Sequence, residues 1–407
     1  MISRQLISYG KLLIPYVKLY PLVVVVLVFL PKIDLVSIPG YHQGIRIEDL
    51  IFLFFAIYFC IHFKLGFIQH NYQFRPIVIF ITYVLFGNFV GHLSGLTIIP
   101  FVLLRFIEYI ALIFLLNHLN VKGLFLKRLS FIYLLINFLV VLLQHNDVVG
   151  SFSSFGYLPP DHWFNARAYG ILGGSWELGV VASLSFFIFL KYEKNKFNIF
   201  VTLFMTTTLV ILAEGRGNFI AFIFTIIFIY LSNYRLQRVT GLLICGAILT
   251  IISKIYFPDW SSSAMVTDYD IDFKPGKIID LLKNFILYNE MPTRSEIMYS
   301  NPKLLSFLFR LQYWSGMYQE YKTNMFTQMF GTGATEIYTD SLLIRLWFTT
   351  GWVGIILAIF LGRNMKVYQL IFFVLSGITL DIFMSFKIVL LSLLLNLKVI
   401  DSDENSS

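Results

Sequence analysis

The stretch 129–146 reads LSFIYLLINFLVVLLQHN, and Lys127 and Arg128 stand directly before it. It contains no Asp, Glu, Lys or Arg, and most of its residues are apolar. A helix of about 20 such residues crosses the hydrocarbon core of a bilayer. The stretch therefore predicts a membrane-spanning helix with a basic flank on one side.

The rest of the 407-residue chain has the same character. Hydrophobic residues make up 57% and charged residues 13%, whereas about 25% of a soluble chain is charged. A soluble protein this apolar would expose large patches and aggregate. The composition excludes a soluble enzyme, a disordered chain and a disulfide scaffold. The apolar runs are continuous rather than alternating, which also excludes a β-barrel.

We predict an all-α polytopic membrane protein with about twelve transmembrane helices. The predicted spans are 12–31, 48–63, 76–92, 96–117, 129–146, 172–190, 198–214, 217–232, 240–257, 341–361, 369–383 and 384–399. Residues 1–257 thus hold spans 1–9, and 341–399 hold spans 10–12. Cys60 and Cys245 fall inside apolar runs and are expected to pack there rather than to form a disulfide.

Basic residues in short loops mark the cytoplasmic side of a membrane protein. They occur in every second loop, as Arg4 and Lys11; Lys64 and Arg75; Lys122, Lys127 and Arg128; Lys191, Lys194 and Lys196; Arg235 and Arg238; Arg363 and Lys366. Both termini, including the polar tail 400–407, are therefore expected in the cytoplasm. This regular placement accounts for the net charge of +8 without a nucleic-acid partner.

Two longer segments are assigned to the opposite, periplasmic side. One is 147–171, and the other is the large loop 258–340. A structureless loop of that length is uncommon in a folded protein, so we expect it to be folded. Leu304, Leu308 and Leu311 recur at helical spacing within it, which predicts a helix over Lys303–Lys322.

An ionisable residue at bilayer depth suggests a functional site. Arg105 and Glu108 lie in span 4, three residues apart and so on one helix face. They form either a proton or substrate relay or a self-neutralising pair that holds the bundle. Lys387 and Asp381, near spans 11 and 12, leave the same two alternatives.

Two arginines stand beside glycines at the outer side. Arg216 lies between Gly215 and Gly217, and Arg167 precedes the glycine-rich stretch 168–179, AYGILGGSWELG. An arginine can grip a phosphate with two hydrogen bonds, and a helix N-terminus attracts anions. The alternatives are an arginine that reaches lipid head groups and a loop anchored by Trp176. Glu177 is either a carboxylate of the site or a hydrogen-bonding helix residue.

Further candidates lie in or after the large loop. Arg310, with Arg294 as a weaker candidate, is either a cation above an outer cavity or, with Trp314, a cation–π pair. Asp340 is either a general base for a sugar hydroxyl or the N-cap of span 10. Arg345 lies about one turn further and is its expected partner.

No motif for a metal, nucleotide or serine nucleophile is present. The triplet Asp268, Asp270 and Asp272 resembles the start of a calcium loop but lacks its later glycine and glutamate. We therefore predict no metal and no cofactor.

The order of these motifs resembles the bacterial O-antigen polymerases of the Wzy type, which share a fold with the O-antigen ligases. The resemblance covers most of the chain. Its motifs are GIRIEDL at 44–50, LRFIEY at 104–109, Arg167 with the glycine-rich stretch ending at Gly179, Gly215-Arg216-Gly217, the single large loop, FGTG at 330–333, Asp340-Ser341 and GWVG at 351–354.

The resemblance implies a metal-independent, lipid-linked glycosyltransferase of GT-C-like architecture in the inner membrane. It implies joining of undecaprenyl-pyrophosphate-linked repeat units into O-antigen or a related surface polysaccharide at the periplasmic face. Arg167 and Arg216 would grip pyrophosphate, with help from Arg310, and Asp340 or Glu177 would be the base. A flippase and a chain-length regulator are the protein partners implied.

Two rivals stay open. In the ligases a histidine stands near the end of the large loop, where this chain has Asp340 and no loop histidine. A flippase for lipid-linked oligosaccharides also fits twelve spans, but a transporter is expected to have repeated halves and broken helices, and we find no internal repeat.

Overall fold

The computed structural model describes residues 21–31, 34–36, 45–62, 75–96, 98, 100–117, 121–153, 156–162, 167–213, 215–233, 302–333, 341–363, 365–378 and 385–397. The structure is mostly helical. Several predicted features lie outside the described residues: span 9, the segment 258–301, Arg294, Asp340, Asp381 and the tail 400–407.

The described helices, in chain order, are α1 (21–29), α2 (Ile47–His62), α3 (Arg75–Leu93), α4 (Pro100–Asn117), α5 (Gly123–His145), α6 (Ser175–Tyr192), α7 (Lys196–Leu212), α8 (Arg216–Asn233), α9 (Pro302–Tyr321), α10 (Met325–Phe330), α11 (Leu342–Gly362), α12 (Val367–Gly377) and α13 (Phe386–Asn396). Two antiparallel strand pairs join β1 (Asp34–Val36) to β2 (Ile45–Arg46) and β3 (Ser151–Ser153) to β4 (Gly156–Leu158).

Among the described residues, four helices are long and apolar enough to cross a membrane, within α3, α5, α6 and α11. Helices α7, α8, α12 and α13 contain shorter apolar stretches. The prediction of a helical membrane protein is confirmed at this level, and the count of twelve spans stays a prediction. The helix predicted over Lys303–Lys322 is present as α9. The two strand pairs were not predicted, because each strand has three residues or fewer.

Helix α5 begins earlier than its predicted span. It starts at Gly123, so Lys127 and Arg128 lie inside the helix and not in the loop before it. The helix accommodates both charges, because the Lys127 Nζ lies 3.4 Å from the Glu193 carboxylate and Arg128 is exposed. Hydropathy alone places the start after the last basic residue and misses this.

By contacts the chain divides into two units. The first contains Met1–Ile81, Phe101–Phe222 and Ile382–Ser407. At its centre lies α6, in which every residue from Glu177 to Phe189 is buried. Helices α5, α7 and α13 pack around it. Small residues such as Gly179, Ala182 and Ser183 let neighbouring helices approach closely, as is usual where helices pack within a membrane.

The second unit contains Thr82–Pro100 and Ile223–Asp381. Within it α9 and α10 pack against α11, and Met317, Tyr321 and Phe348 form a buried cluster. Helix α11 is broken at Gly351, whose φ of 64° and ψ of −170° are not helical. This combination is essentially restricted to glycine, so the residue type itself permits the break.

Candidate functional site

The glycine-rich loop that precedes α6 is fixed by one amide on α5. The side-chain oxygen of Gln144 accepts hydrogen bonds from the backbone N–H groups of Tyr169 (3.0 Å) and Gly170 (2.8 Å). Its side-chain nitrogen donates to the carbonyls of Gly150 (3.0 Å) and Gly170 (2.9 Å). Buried backbone groups need such partners, and here one side chain supplies four hydrogen bonds.

A second amide on α5 continues this support. The Asn137 side-chain oxygen accepts from the backbone N–H of Ile171 at 3.2 Å. Gly170 has a φ of +60°, and a Cβ there would collide with the same Asn137 oxygen. The loop can therefore lie this close to α5 only with glycine at position 170.

The segment that carries Arg167 and the turn that carries Arg216 lie against each other. The backbone N–H of Ala168 donates to the Leu212 carbonyl at 3.3 Å. The Asn218 side-chain nitrogen donates to the Trp176 carbonyl at 2.8 Å. The first bond joins the loop before α6 to the last residue of α7, and the second joins the first turn of α6 to the first turn of α8. In the chain, Ala168 and Trp176 both follow Arg167, whereas Leu212 and Asn218 lie on either side of Arg216.

Glycines make this contact close. A Cβ at Gly179 would lie 2.9 Å from the Asn218 side-chain nitrogen, and a Cβ at Gly215 would lie 3.2 Å from it. The Asn218 side chain thus fits between Gly179 and Gly215 because neither glycine has a side chain. Of the predicted pair, Arg167 is exposed, and Arg216 is the first residue of α8; its side chain lies outside the described part.

The surroundings of Arg167 favour anion binding. Tyr169 is half-buried beside it, and burial raises the pKa of the Tyr169 phenol, an effect that Arg167 partly offsets. The phenol therefore keeps its proton at neutral pH and remains a hydrogen-bond donor. Helix α6 begins after Gly174, which provides no side-chain cap, so the first backbone N–H groups of the helix are not occupied by a capping side chain.

Glu177 lies in the first turn of α6 and is buried. One carboxylate oxygen accepts a hydrogen bond from the Ser385 hydroxyl, and the other accepts from the Gly173 backbone N–H at 3.3 Å. Ser385 is also the N-cap of α13. Of the two alternatives for Glu177, this geometry favours the hydrogen-bonding helix residue, because both oxygens already join parts of the fold.

The intramembrane pair is part of a larger buried cluster. One nitrogen of Arg105, Nη1, lies 2.6 Å from an Asp49 oxygen and 2.8 Å from a Glu108 oxygen. Asp49 also accepts from the backbone N–H of Arg46 at 2.8 Å, and Arg46 lies 3.7 Å from Glu48. The cluster joins α2 to α4, which favours the bundle-holding alternative over a relay.

The remaining predicted residues lie in the second unit or outside the described part. Arg310 on α9 and Arg345 in the first turn of α11 are both partly buried. The N-cap of α11 is Ser341, whose side chain accepts from the Ile344 backbone N–H. The alternative that Asp340 caps span 10 is therefore wrong. Lys387 is buried on α13 in the first unit.

Sequence reasoning missed Asp49, Gln144 and Asn218. Asp49 lies inside the motif GIRIEDL, and Asn218 directly follows Gly215-Arg216-Gly217. Nothing in the sequence pattern gave either residue a partner. In the sequence, Gln144 was marked only as a polar residue near the end of an apolar run. Within the described ranges, no group of three or more His, Cys, Asp or Glu side chains is placed to hold a metal ion.

A scan of the chain against models of known protein families finds no match, and a search of curated proteins finds no similar sequence. The family resemblance therefore depends on the order of motifs within the chain itself.

Proposed function

We propose that this protein is a glycan polymerase that joins undecaprenyl-pyrophosphate-linked repeat units into O-antigen or a related surface polysaccharide. The observation that carries the proposal is the contact between the Arg167 loop and the Arg216 turn. Two arginine-bearing backbone segments are hydrogen-bonded together, beside the uncapped start of α6, in a chain with membrane-length apolar helices.

The chemistry needs a fixed positive site. When the acceptor hydroxyl attacks the anomeric carbon of the donor sugar, the bond from that carbon to the pyrophosphate oxygen breaks. The leaving undecaprenyl pyrophosphate takes the electron pair, so negative charge grows on it in the transition state. Guanidinium groups held by a rigid backbone near a low-dielectric membrane stabilise that charge. We assign this role to Arg167 and Arg216.

The hydroxyl proton must pass to a base. Glu177 is buried with both oxygens hydrogen-bonded. We therefore assign the role of base to Asp340, and Glu177 fixes the loop. Arg310, Arg345 and Arg294 stay in the proposal as further contacts to substrate. No step in this scheme requires a metal or a cofactor.

The proposal includes the cellular arrangement. The twelve spans would form a GT-C-like architecture in the bacterial inner membrane, with both termini and the basic loops in the cytoplasm. The donor would be the growing chain on its lipid carrier, the acceptor a single lipid-linked repeat unit, and growth would occur by block transfer at the periplasmic face. A flippase would deliver the repeat units, and a chain-length regulator would limit the product.

A flippase is the rival from a different class, and the break in α11 is the feature in its favour. In transporters, unwound helices supply backbone groups to the substrate. Here the Phe348 and Thr349 carbonyls accept from the backbone N–H groups of Thr332 and Gly333, and the Thr350 carbonyl accepts from the Tyr83 hydroxyl. The break therefore has its own internal partners, and we prefer the polymerase.

The test is the pattern of surface lipopolysaccharide in a strain that lacks the gene. We expect the deletion strain to attach a single repeat unit to the lipopolysaccharide core and wild-type protein to restore a ladder. Arg167→Ala and Arg216→Ala, at equal expression, should leave the single unit, because the leaving group loses its positive site. Arg128→Ala, an exposed arginine on the basic-loop side of α5, is the matched control and should restore the ladder.

Other patterns contradict the proposal in identifiable ways. Bare core with lipid-linked polymer outside the membrane would indicate a ligase. Bare core with single units retained on the cytoplasmic side would indicate a flippase. A full ladder with Arg216→Ala would leave a polymerase but remove the assigned pyrophosphate site.

A further inference from the structure

Part of the predicted outer loop is inserted between α11 and the portion of α3 that belongs to the second unit. Residues 324–333 comprise Asn324, helix α10 and the stretch Gly331-Thr332-Gly333. Asn324 caps α10 with a reciprocal capping box that includes Thr327, so the short helix has a defined start. Beyond it, the backbone runs along α11 on one side and α3 on the other.

On the α11 side, the segment donates backbone hydrogen bonds to carbonyls near the break in the helix. The backbone N–H of Thr332 donates to the Phe348 carbonyl at 2.9 Å, and that of Gly333 donates to the Thr349 carbonyl at 3.1 Å. Helix α11 loses these partners through its break at Gly351, and a carbonyl without a partner at membrane depth is costly. The inserted segment therefore supplies backbone hydrogen bonds that α11 lacks at its break.

On the α3 side, two small residues allow contact with the backbone of the segment. A Cβ at Gly91 would collide with the Thr332 carbonyl, and one at Gly87 would lie 3.1 Å from the Phe330 carbonyl. The Tyr83 hydroxyl, one turn earlier, lies 3.3 Å from the same Phe330 carbonyl. The contacts thus extend from Tyr83 to Gly91 along a helix of membrane length.

With the outer ends of α3 and α11 taken as the membrane surface, these contacts give the depth of the segment in two ways. At 1.5 Å per residue, Phe348 lies about 9 Å from the start of α11 at Leu342. By the same rise, Gly87 lies about 9 Å and Gly91 about 3 Å from the end of α3 at Leu93. Amphipathic helices of the membrane interface are buried about 5–10 Å below the surface. The Phe348 and Gly87 contacts fall within that range, and the Gly91 contact lies nearer the surface.

Four residues of α10 are exposed, and three of them, all except Gln328, are apolar. Met325 is 76% and Phe326 is 67% exposed, and Met329 is also exposed. Phe330 makes an edge-to-face contact with Phe86 of α3, with ring centroids 5.9 Å apart, and Phe86 is itself exposed on a membrane-length helix. The apolar side of α10 is therefore continuous with a helix face that the bilayer would cover.

We propose that residues 324–333 form a re-entrant segment and that Met325, Phe326 and Met329 of α10 contact the acyl chains of bilayer lipids near one membrane surface. The occupant is lipid because the depth set by α3 and α11 and the continuity through Phe86 both place this side within the bilayer. The inference does not depend on the proposed enzymatic activity.

Lipid-attached quenchers test the inference in the full-length protein. Phe326→Cys is made in a background in which Cys60 and Cys245 are replaced by alanine, labelled with an environment-sensitive fluorophore, and reconstituted in phosphatidylethanolamine–phosphatidylglycerol vesicles. Lipids with a nitroxide near the top of the acyl chain should quench this label severalfold more than a label at Thr323→Cys, the exposed control just before α10. Met325→Cys is the second variant should Phe326→Cys fail to fold.

Three results would overturn the inference. The first is equal quenching at 326 and 323. The second is rapid reaction of the 326 thiol with a membrane-impermeant maleimide, at the rate of the 323 thiol, which would place α10 in water. The third is protection of the 326 thiol only at high protein-to-lipid ratio, without lipid quenching, which would assign the surface to a second copy of the chain.

Discussion

At the scale of single residues, Arg105 holds two buried carboxylates with one nitrogen atom. Its Nη1 lies 2.6 Å from Asp49 and 2.8 Å from Glu108, and all three side chains are buried. A buried charge network adds little net stability when complete, but removal of one partner leaves uncompensated charge. The cluster is therefore a sensitive point of the first unit.

We predict that Arg105→Leu lowers the free energy of unfolding by about 3–5 kcal/mol, because Asp49 and Glu108 lose the guanidinium that lies between them. Thermal unfolding of the detergent-solubilised protein measures the effect. Arg128→Leu, at an exposed position, is the matched control and should change little. The addition of Asp49→Asn and Glu108→Gln should restore part of the loss. An Arg105→Leu variant as stable as Arg128→Leu would show that the cluster does not hold α2 to α4.

The same residues show which contacts of the site can be predicted from the sequence and which cannot. The pairing of Arg105 with Glu108 follows from their spacing of three on one helix and is confirmed. Asp49 lies 56 residues before Arg105, and helical periodicity carries no information across that separation. Gln144 and Asn218 were missed for the same reason, since their partners are backbone groups of distant segments.

At the scale of elements, the break in α11 and the inserted segment depend on each other. Gly351 has a positive φ, and a Cβ at this position would lie 2.5 Å from the Met329 carbonyl of α10. An alanine here would have to straighten α11 or displace α10, and either change removes the hydrogen bonds from Thr332 and Gly333.

We predict that Gly351→Ala lowers the free energy of unfolding by about 2–4 kcal/mol, through backbone strain and lost hydrogen bonds. Gly362→Ala, at the end of the same helix, is the control: a Cβ there would meet just one side-chain methyl, of Leu370, at 3.3 Å. Thermal unfolding of the two variants in detergent makes the comparison. Equal stability of the two would contradict the coupling of α10 to the break.

Long apolar helices were the elements that sequence predicted well. Their existence follows from continuous hydropathy, which fixes α3, α5, α6 and α11 without knowledge of their neighbours. The predicted helix boundaries were less accurate where charged residues lie inside a helix, as Lys127 does in α5. Residues 324–333 were assigned to an outer loop because they lie between two predicted spans, within 258–340. Their place beside α3 and α11 depends on close contacts at glycines far apart in the sequence.

At the scale of the whole molecule, each unit has its own polar feature. The first unit holds the Arg167 loop, the Arg216 turn and the buried charge cluster. The second holds the broken helix α11 with its inserted segment. The sequence predicted the arginine-bearing motifs, but their contact required the fold, because Ala168 and Leu212 meet through backbone groups that every residue carries.

Polymer formation by the purified protein, in vesicles supplied with undecaprenyl-pyrophosphate-linked repeat units, tests the proposed polymerase activity without other cell components. Wild-type protein should convert single units into a ladder and release undecaprenyl pyrophosphate without added metal. Arg167→Ala and Arg216→Ala should form little product, while Arg128→Ala should match wild type. Movement of repeat units between leaflets with no new glycosidic bond would show that the protein is a flippase and not a polymerase.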